Sequence, residues 1–265
     1  MTVPQYRHDV ALDYTRVELA VAYTVRASWD VIARLPWEQK VQNAHPSFLG
    51  SLSEDDRSAM QRNIDLHHRS ATLRGVSDFM LLSRHRSSRL DRGALSLSAG
   101  LTLPTGHTVE NPYRQGDRGI QHLHIQFGTG TFDPLFEAAY RTPLRGPFHA
   151  GAYLTSRLPL YQNSRGFQAP SDGTLGIHLS HRTTDRLQFR VEGAGYTQGY
   201  GYWNDVRDEN TGLIATSVAL GGAFRRGDLV VSADVRYPIS QRTLAEGDAF
   251  EQGSTFVISF GGPLR

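Results

Sequence analysis

Cysteine is absent from the 265 residues, which excludes a disulfide scaffold, thiolate metal sites and cysteine nucleophiles. The absence suits a chain that crosses an oxidising periplasm. Lysine is nearly absent as well, since Lys40 is the only one among 28 basic residues. The arginines face 26 acidic residues, for a net charge of +2. That balance points to guanidinium–carboxylate pairing, not to the one-sided basic surface that nucleic acid requires. No nucleic-acid partner is expected. Long apolar runs are missing too: mean hydropathy is −0.40 and no stretch approaches the roughly 18 residues of a spanning helix. A helical membrane protein is excluded, but a transmembrane barrel is not, because a barrel strand gives lipid only every second residue. Phosphate-loop, dinucleotide and zincin motifs are lacking, so no cofactor is expected.

What the chain does contain is period two. Leu187, Phe189 and Val191 alternate with Gln188, Arg190 and Glu192, and Leu175, Ile177 and Leu179 with Gly176, His178, Ser180 and Arg182. The same alternation places Trp29, Val31, Ala33 and Leu35 opposite Asp30 and Arg34, and Val231, Ala233, Val235 and Tyr237 opposite Ser232, Asp234 and Arg236. Such segments are strands with two chemically different faces. One helix is expected, over 53–63, with Ser53 as cap and Glu54, Asp55 and Asp56 at the positive end of its dipole.

Connector lengths alternate strictly. Short turns fall near 25–27, 86–92, 143–146, 183–185 and 225–227, and long polar loops near 39–63, 105–119, 159–172, 198–210 and 240–252. A soluble sandwich or lipocalin-like barrel would not sort its loops by length, whereas an outer-membrane barrel has short periplasmic turns and long outer loops. The expectation is an all-β fold: one antiparallel transmembrane β-barrel domain spanning 1–265, with strands near 5–12, 15–24, 28–38, 72–85, 93–104, 131–142, 147–158, 173–182, 186–196, 212–224, 229–238 and 254–261. These make twelve strands with both termini on the periplasmic side. Trp29, Trp37, Trp203 and tyrosines such as Tyr14, Tyr23, Tyr140, Tyr196 and Tyr237 fall near strand ends, as interfacial girdles do. Met1–Gln5 shows no basic segment followed by an apolar one, so on this view an export signal has been removed from the mature chain.

The segments GALSLSAGLTLPTG at 93–106, GIQHLHIQFGTGTFDP at 119–134, GVSDFMLLSRHR at 75–86 and the opening TVRASWDVIARLP at 24–36 lie within a stretch that spans somewhat under half the chain. They resemble the outer-membrane barrel family named for the meta-cleavage pathway of phenol degradation. The resemblance implies an outer-membrane location, passage of small hydrophobic or aromatic compounds, and no catalytic residues. Barrels of this kind often end on an aromatic residue, whereas here Phe260 is followed by Gly261-Gly262-Pro263-Leu264-Arg265.

With polar faces inward, the expected lumen holds Arg16, Glu18, Asp30, Arg34, Glu137, Arg141, Arg157, Arg182, Arg190, Glu192, Asp234 and Arg236. They would act as a charged constriction that filters solutes, or as a pairing network that fills a narrow barrel. His122 and His124, two residues apart on an expected strand face, are candidate metal ligands, with His67-His68 in another segment; two imidazoles supply at most half of a zinc site. His149 and His178 read as ordinary lumen residues. A lipid hydrolase would need a nucleophile, base and orienting group, for which only Tyr161-Gln162-Asn163-Ser164-Arg165-Gly166 and Tyr196-Thr197-Gln198-Gly199 offer polar loop groups. The expected activity is therefore non-enzymatic. It is passive passage of a small solute through a monomeric barrel in outer-membrane lipid, with loops 53–63 and 105–119 over the mouth. The alternative is a closed structural or binding barrel linked to metal through His122 and His124.

Overall fold

The computed structural model describes residues 6–48, 53–67, 69–90, 93–244 and 251–263. The strands are β1 Tyr6–Arg26, β2 Trp29–Phe48, β3 Ala71–Val76, β4 Phe79–Leu90, β5 Gly93–Leu103, β6 Pro134–Pro143, β7 Phe148–Arg157, β8 Phe167–Gln168, β9 Asp172–Arg182, β10 Leu187–Gln198, β11 Gly201–Trp203, β12 Val206–Asp208, β13 Leu213–Arg226, β14 Leu229–Thr243 and β15 Thr255–Gly261. The two helices are α1 Glu54–His67 and α2 Pro112–Asp117. One antiparallel sheet runs in the order β1-β2-β4-β5-β6-β7-β9-β10-β13-β14-β15, with β3 also paired to β2, and it curls into a half-barrel.

The two faces of this sheet are inverted relative to a soluble protein. Leu19, Ile177, Leu220 and Ile258 are each about 65% exposed, while Asp30 and Glu192 are only 2% and 4% exposed. Apolar side chains turned outward around the whole sheet, with carboxylates buried behind them, are the pattern of a lipid-facing belt. Curvature is shown by Arg34 on β2, whose guanidinium reaches Glu137 on β6 at 2.6 Å although three strand spacings separate the strands. Strands lie about 4.8 Å apart, so side chains can meet over that span only on the concave side of a strongly bent sheet.

Several expectations are corrected. The expected strands at 5–12 and 15–24 are one strand, β1, because Asp13 and Tyr14 pair in unbroken register with Val41 and Lys40. The expected loop 39–63 is strand as far as Phe48, followed by α1; its residues 49–52 lie outside the described residues, as do 245–250 of the last long loop. The expected strand 72–85 is broken at Ser77-Asp78 into β3 and β4, and 131–133 precede β6 as irregular chain. The sheet holds twelve strands, as expected, but β3 and β4 are two halves of one descending pass, so the described chain makes eleven passes. The Tyr6 end of β1 therefore lies on the long-loop side and Gly261 on the short-turn side, with β1 and β15 as the sheet edges among the described residues.

The strict alternation of connector lengths holds, with all five long connectors on one end. Helix α1 starts where the acidic cluster predicted it and runs one turn further. The Ser53 hydroxyl accepts from the Asp56 N–H at 3.1 Å and donates to the Asp56 carboxylate at 2.7 Å, a capping box that orders the entry. On the same end β8, β11 and β12 form a small second sheet around Phe167 and the buried Trp203, so Trp203 is cap core and not an interfacial girdle residue. Asn204 and Asp205 turn the β11–β12 hairpin with φ of 51° and 65°, the double left-handed geometry of a two-residue hairpin turn.

Candidate functional site

The concave face carries two ion-pair ladders. On the first, Arg16 meets Glu18 at 2.5 Å and Glu38 at 3.6 Å, Arg34 joins Glu18 to Glu137, and Lys40 meets Glu38 at 3.1 Å. Below it, Asp30 accepts from Arg84, Arg86 and Thr24. On the second ladder, Arg190 binds Asp234 and Arg236 binds Glu192, both at 2.6 Å, and the Tyr153 hydroxyl donates to Glu192 at 2.7 Å. Arg157 closes on Asp172 at 2.6 Å. Guanidinium–carboxylate pairs of this kind compensate charges that the concave face draws partly out of water.

Ten of the expected lumen residues thus sit in ion pairs: Arg16, Glu18, Asp30, Arg34, Glu137, Arg157, Arg190, Glu192, Asp234 and Arg236. Arg141 and Arg182 have no ion pair among the described residues. They stand near the short-turn end with His149 and His178, whose Nδ1 atoms are buried and unpartnered. Glu38, Lys40, Arg84, Arg86 and Asp172 are paired residues absent from the expected lumen set. Parity would have found Glu38, Lys40 and Arg84, since β2 and β4 turn their even residues inward; Asp172 fell in an expected loop.

A second constellation anchors the long loop 104–133. The buried Asp78, at the β3–β4 break, accepts from the Gly106 N–H at 2.9 Å, the Thr129 N–H at 2.8 Å and the Thr129 hydroxyl at 3.0 Å. A Cβ on Gly128 would stand 2.5 Å from the same carboxylate, and one on Gly106 2.7 Å from the Gly128 Cα, so both must be glycine for the strands of chain to meet. Asp133 continues the knot, accepting from the Thr131 hydroxyl at 2.5 Å while its N–H donates to the Thr102 hydroxyl at 3.0 Å. Lys40 ties the loop to the concave face by donating to the Gln126 carbonyl at 2.7 Å, with the Phe127 ring 4.9 Å from its ammonium.

The loops at this end are laced to one another. Asn111 caps α2 and donates to Asn204 at 2.8 Å, Arg165 pairs with Glu110, and the Tyr113 hydroxyl donates to Asp208 at 2.8 Å. Burial, then the Asp208 hydrogen bond, pushes Tyr113 up to about 12. Asn163, central to the segment considered for hydrolysis, accepts from the N–H groups of Arg165 and Phe167 and donates to the Thr129 carbonyl. It is a structural node, and the fragment around it assembles no nucleophile and base.

His122 and His124 do not share a strand face, because 121–133 is irregular chain. They lie instead beside His67 at the end of α1, where the His67 Nδ1 is 3.0 Å from His122 Nε2. The three imidazoles each place a ring nitrogen within 4.8 Å of the others. His124 keeps an exposed edge, yet burial and then His122 push it down to about 4, and the same causes lower His67. The neighbouring His68 lies outside the described residues. A recess of about 600 Å³ elsewhere is lined by residues that include Trp29, Leu97, Phe136, Glu137 and Leu154.

No family model matches the chain, and no curated protein does. Among solved structures the chain is similar to the COG4313 outer membrane channel from Pseudomonas putida F1, at 10% identity over 95% of this chain and 82% of that one, with a TM-score of 0.59. It also aligns with OmpT, an outer membrane protein of Vibrio cholerae, at 13% identity over 94% of this chain and 92% of that one, with a TM-score of 0.40. Inverted faces, segregated loops and the first of these likenesses lead to one conclusion: the chain has the fold of an outer-membrane β-barrel.

Proposed function

We propose that the chain is an outer-membrane channel for passive passage of a small solute, and that it is not an enzyme. The observation that carries this reading is the concave face itself, a continuous charged and hydrogen-bonding surface behind a lipid-facing apolar belt. Such a surface filters by field and hydrogen bonding. Support comes from the similarity to a solved outer membrane channel and from the resemblance of the 75–86, 93–106 and 119–134 segments to the phenol-degradation family, which makes hydrophobic or aromatic compounds the solute class to try first. The barrel works as a monomer in lipid, and loops 53–63 and 105–119 narrow its outer mouth.

Planar-bilayer recording and liposome uptake test the reading. Discrete conductance and entry of a small aromatic solute ahead of a sugar of equal size are expected. An electrically silent protein with no solute flux would instead favour a closed structural barrel, which the extensive pairing on the concave face also suits.

A further inference from the structure

The three-histidine cluster lies outside the ladders and joins the end of α1 to the 104–133 loop. Helix α1 docks on the 104–133 loop through two hydrogen bonds to its last carbonyls: the His122 backbone N–H donates to the Leu66 carbonyl at 3.0 Å, and the Gln121 side-chain Nε2 donates to the Asp65 carbonyl at 2.9 Å. These contacts place His67, the last residue of α1, directly against His122, ring centroids 4.6 Å apart and nearly perpendicular. Gly116, in α2, seals one side: a Cβ there would come within 2.7 Å of the His67 ring and 3.2 Å of the His122 ring.

The tautomer of His122 is set by its surroundings. Its Nδ1 lies 2.8 Å from the Ile120 carbonyl, which can only accept, so Nδ1 carries the proton and Nε2 presents a lone pair toward His67. A backbone carbonyl behind an imidazole that points its other nitrogen into a site is the usual support of a metal-ligating histidine. The 3.0 Å between His67 Nδ1 and His122 Nε2 is also close to the edge of a tetrahedral zinc site, where two nitrogens at 2.0–2.1 Å from the ion stand about 3.3 Å apart. Without an ion, His67 bridges the gap by donating its Nδ1 proton; with one, His67 takes the other neutral tautomer and no net proton is released. His124 closes the third corner, its ring 5.4 Å from that of His122. Beyond it the Tyr113 ring stands edge-on at 5.5 Å, its hydroxyl tied to Asp208, which supplies a nearby negative charge against the cation.

We propose that His67, His122 and His124 form a three-imidazole site for a divalent transition-metal ion of the zinc type, with a fourth position open to solvent beside His124. The ion clasps α1 to the 104–133 loop at the outer mouth. Imidazole donors suit zinc, nickel and copper and disfavour magnesium and calcium, which take oxygen ligands. The site is independent of the channel reading, since binding is measured by titration and passage by conductance.

The test uses the full chain refolded in detergent, stripped with a chelator and titrated with zinc by calorimetry. One ion per chain is expected, with affinity falling at least tenfold in each of His67→Ala, His122→Ala and His124→Ala, and unchanged in His107→Ala. Heat-modifiable migration reports that each variant is folded. A cobalt titration of the unsubstituted protein gives a readout that needs no variant, the intense visible absorption of a four-coordinate nitrogen-rich site being expected. The proposal is overturned by the absence of saturable one-to-one binding, by wild-type zinc affinity in a folded triple variant, or by the weak absorption of octahedral cobalt.

Discussion

The carboxylate of Asp78 accepts both the N–H and the hydroxyl of Thr129, 51 residues further along the chain, at 2.8 and 3.0 Å. Three of the segments that carry the family resemblance meet at this point: the Gly-x-x-Asp strand ending in Asp78, the Leu-Pro-Thr-Gly ending in Gly106, and the Gly-Thr-Gly-Thr beginning at Gly128. Their short, glycine-rich character follows from packing, since a loop can fold back onto a strand break only where backbone approaches backbone.

Asp78→Ala strips three donors of one buried acceptor and should destabilise the barrel by roughly 3 kcal/mol, at about 1 kcal/mol or more for each stranded donor. Denaturant unfolding in detergent measures it. Gly128→Ala, which drives a methyl against the same carboxylate, should act in the same direction. Wild-type midpoints in both would show that the knot is dispensable.

Arg34 and Glu137 form the bridge that crosses the most strands, with two hydrogen bonds of 2.6 and 3.0 Å. A double-mutant cycle to alanine should return a coupling near 1 kcal/mol, because both side chains keep about a quarter of their surface exposed and solvent screens the pair. Each single variant should also raise single-channel conductance by removing a side chain that reaches across the concave face. Unaltered conductance would place the limiting constriction at the loops.

Arg141 and Arg182, near the short-turn end, have no ion pair among the described residues and leave positive charge there. Reversal potentials in a salt gradient should therefore show a preference for anions over cations, reduced in Arg141→Ala and further in the double variant with Arg182→Ala. Cation preference in the unsubstituted protein would refute this.

Tyr113→Phe removes the hydroxyl that joins α2 to Asp208 and Asn210, and should make the 104–133 loop more sensitive to protease without changing heat-modifiable migration. In the unsubstituted protein the same loosening belongs to alkaline pH. A tyrosine raised to about 12 in the folded loop holds its proton more tightly than a free phenol, so the tie is fully present below pH 10 and is lost as pH climbs toward 12. Loosening that begins near neutral pH would contradict this assignment.

Much of the fold was legible in local pattern. Leu187 to Glu192 or Trp29 to Leu35 read directly as strands with one lipid face, because side chains on a pleated strand alternate and a barrel wall has two different solvents. Ser53 with its acidic neighbours marked the start of α1. Harder to see were the breaks. Asp13 and Tyr14, between two expected strands, sit inside β1, since a strand 21 residues long tolerates polar residues wherever its edge or inner face is wet. The interruption at Ser77-Asp78 left no local sign, because its cause is Thr129.

By itself, then, the sequence determined the class of the protein: alternating faces, loops sorted by length and arginines matched by carboxylates already specify a membrane barrel with a charged interior. The partners were decided only by tertiary structure. Which arginine meets which carboxylate, which of the expected lumen arginines lack an ion pair among the described residues, and how His67 comes to face His122 all depend on sheet curvature and loop docking. Periodicity is a property of one strand and its two solvents, whereas a contact between residues 55 or 103 positions apart is set by how the whole sheet bends.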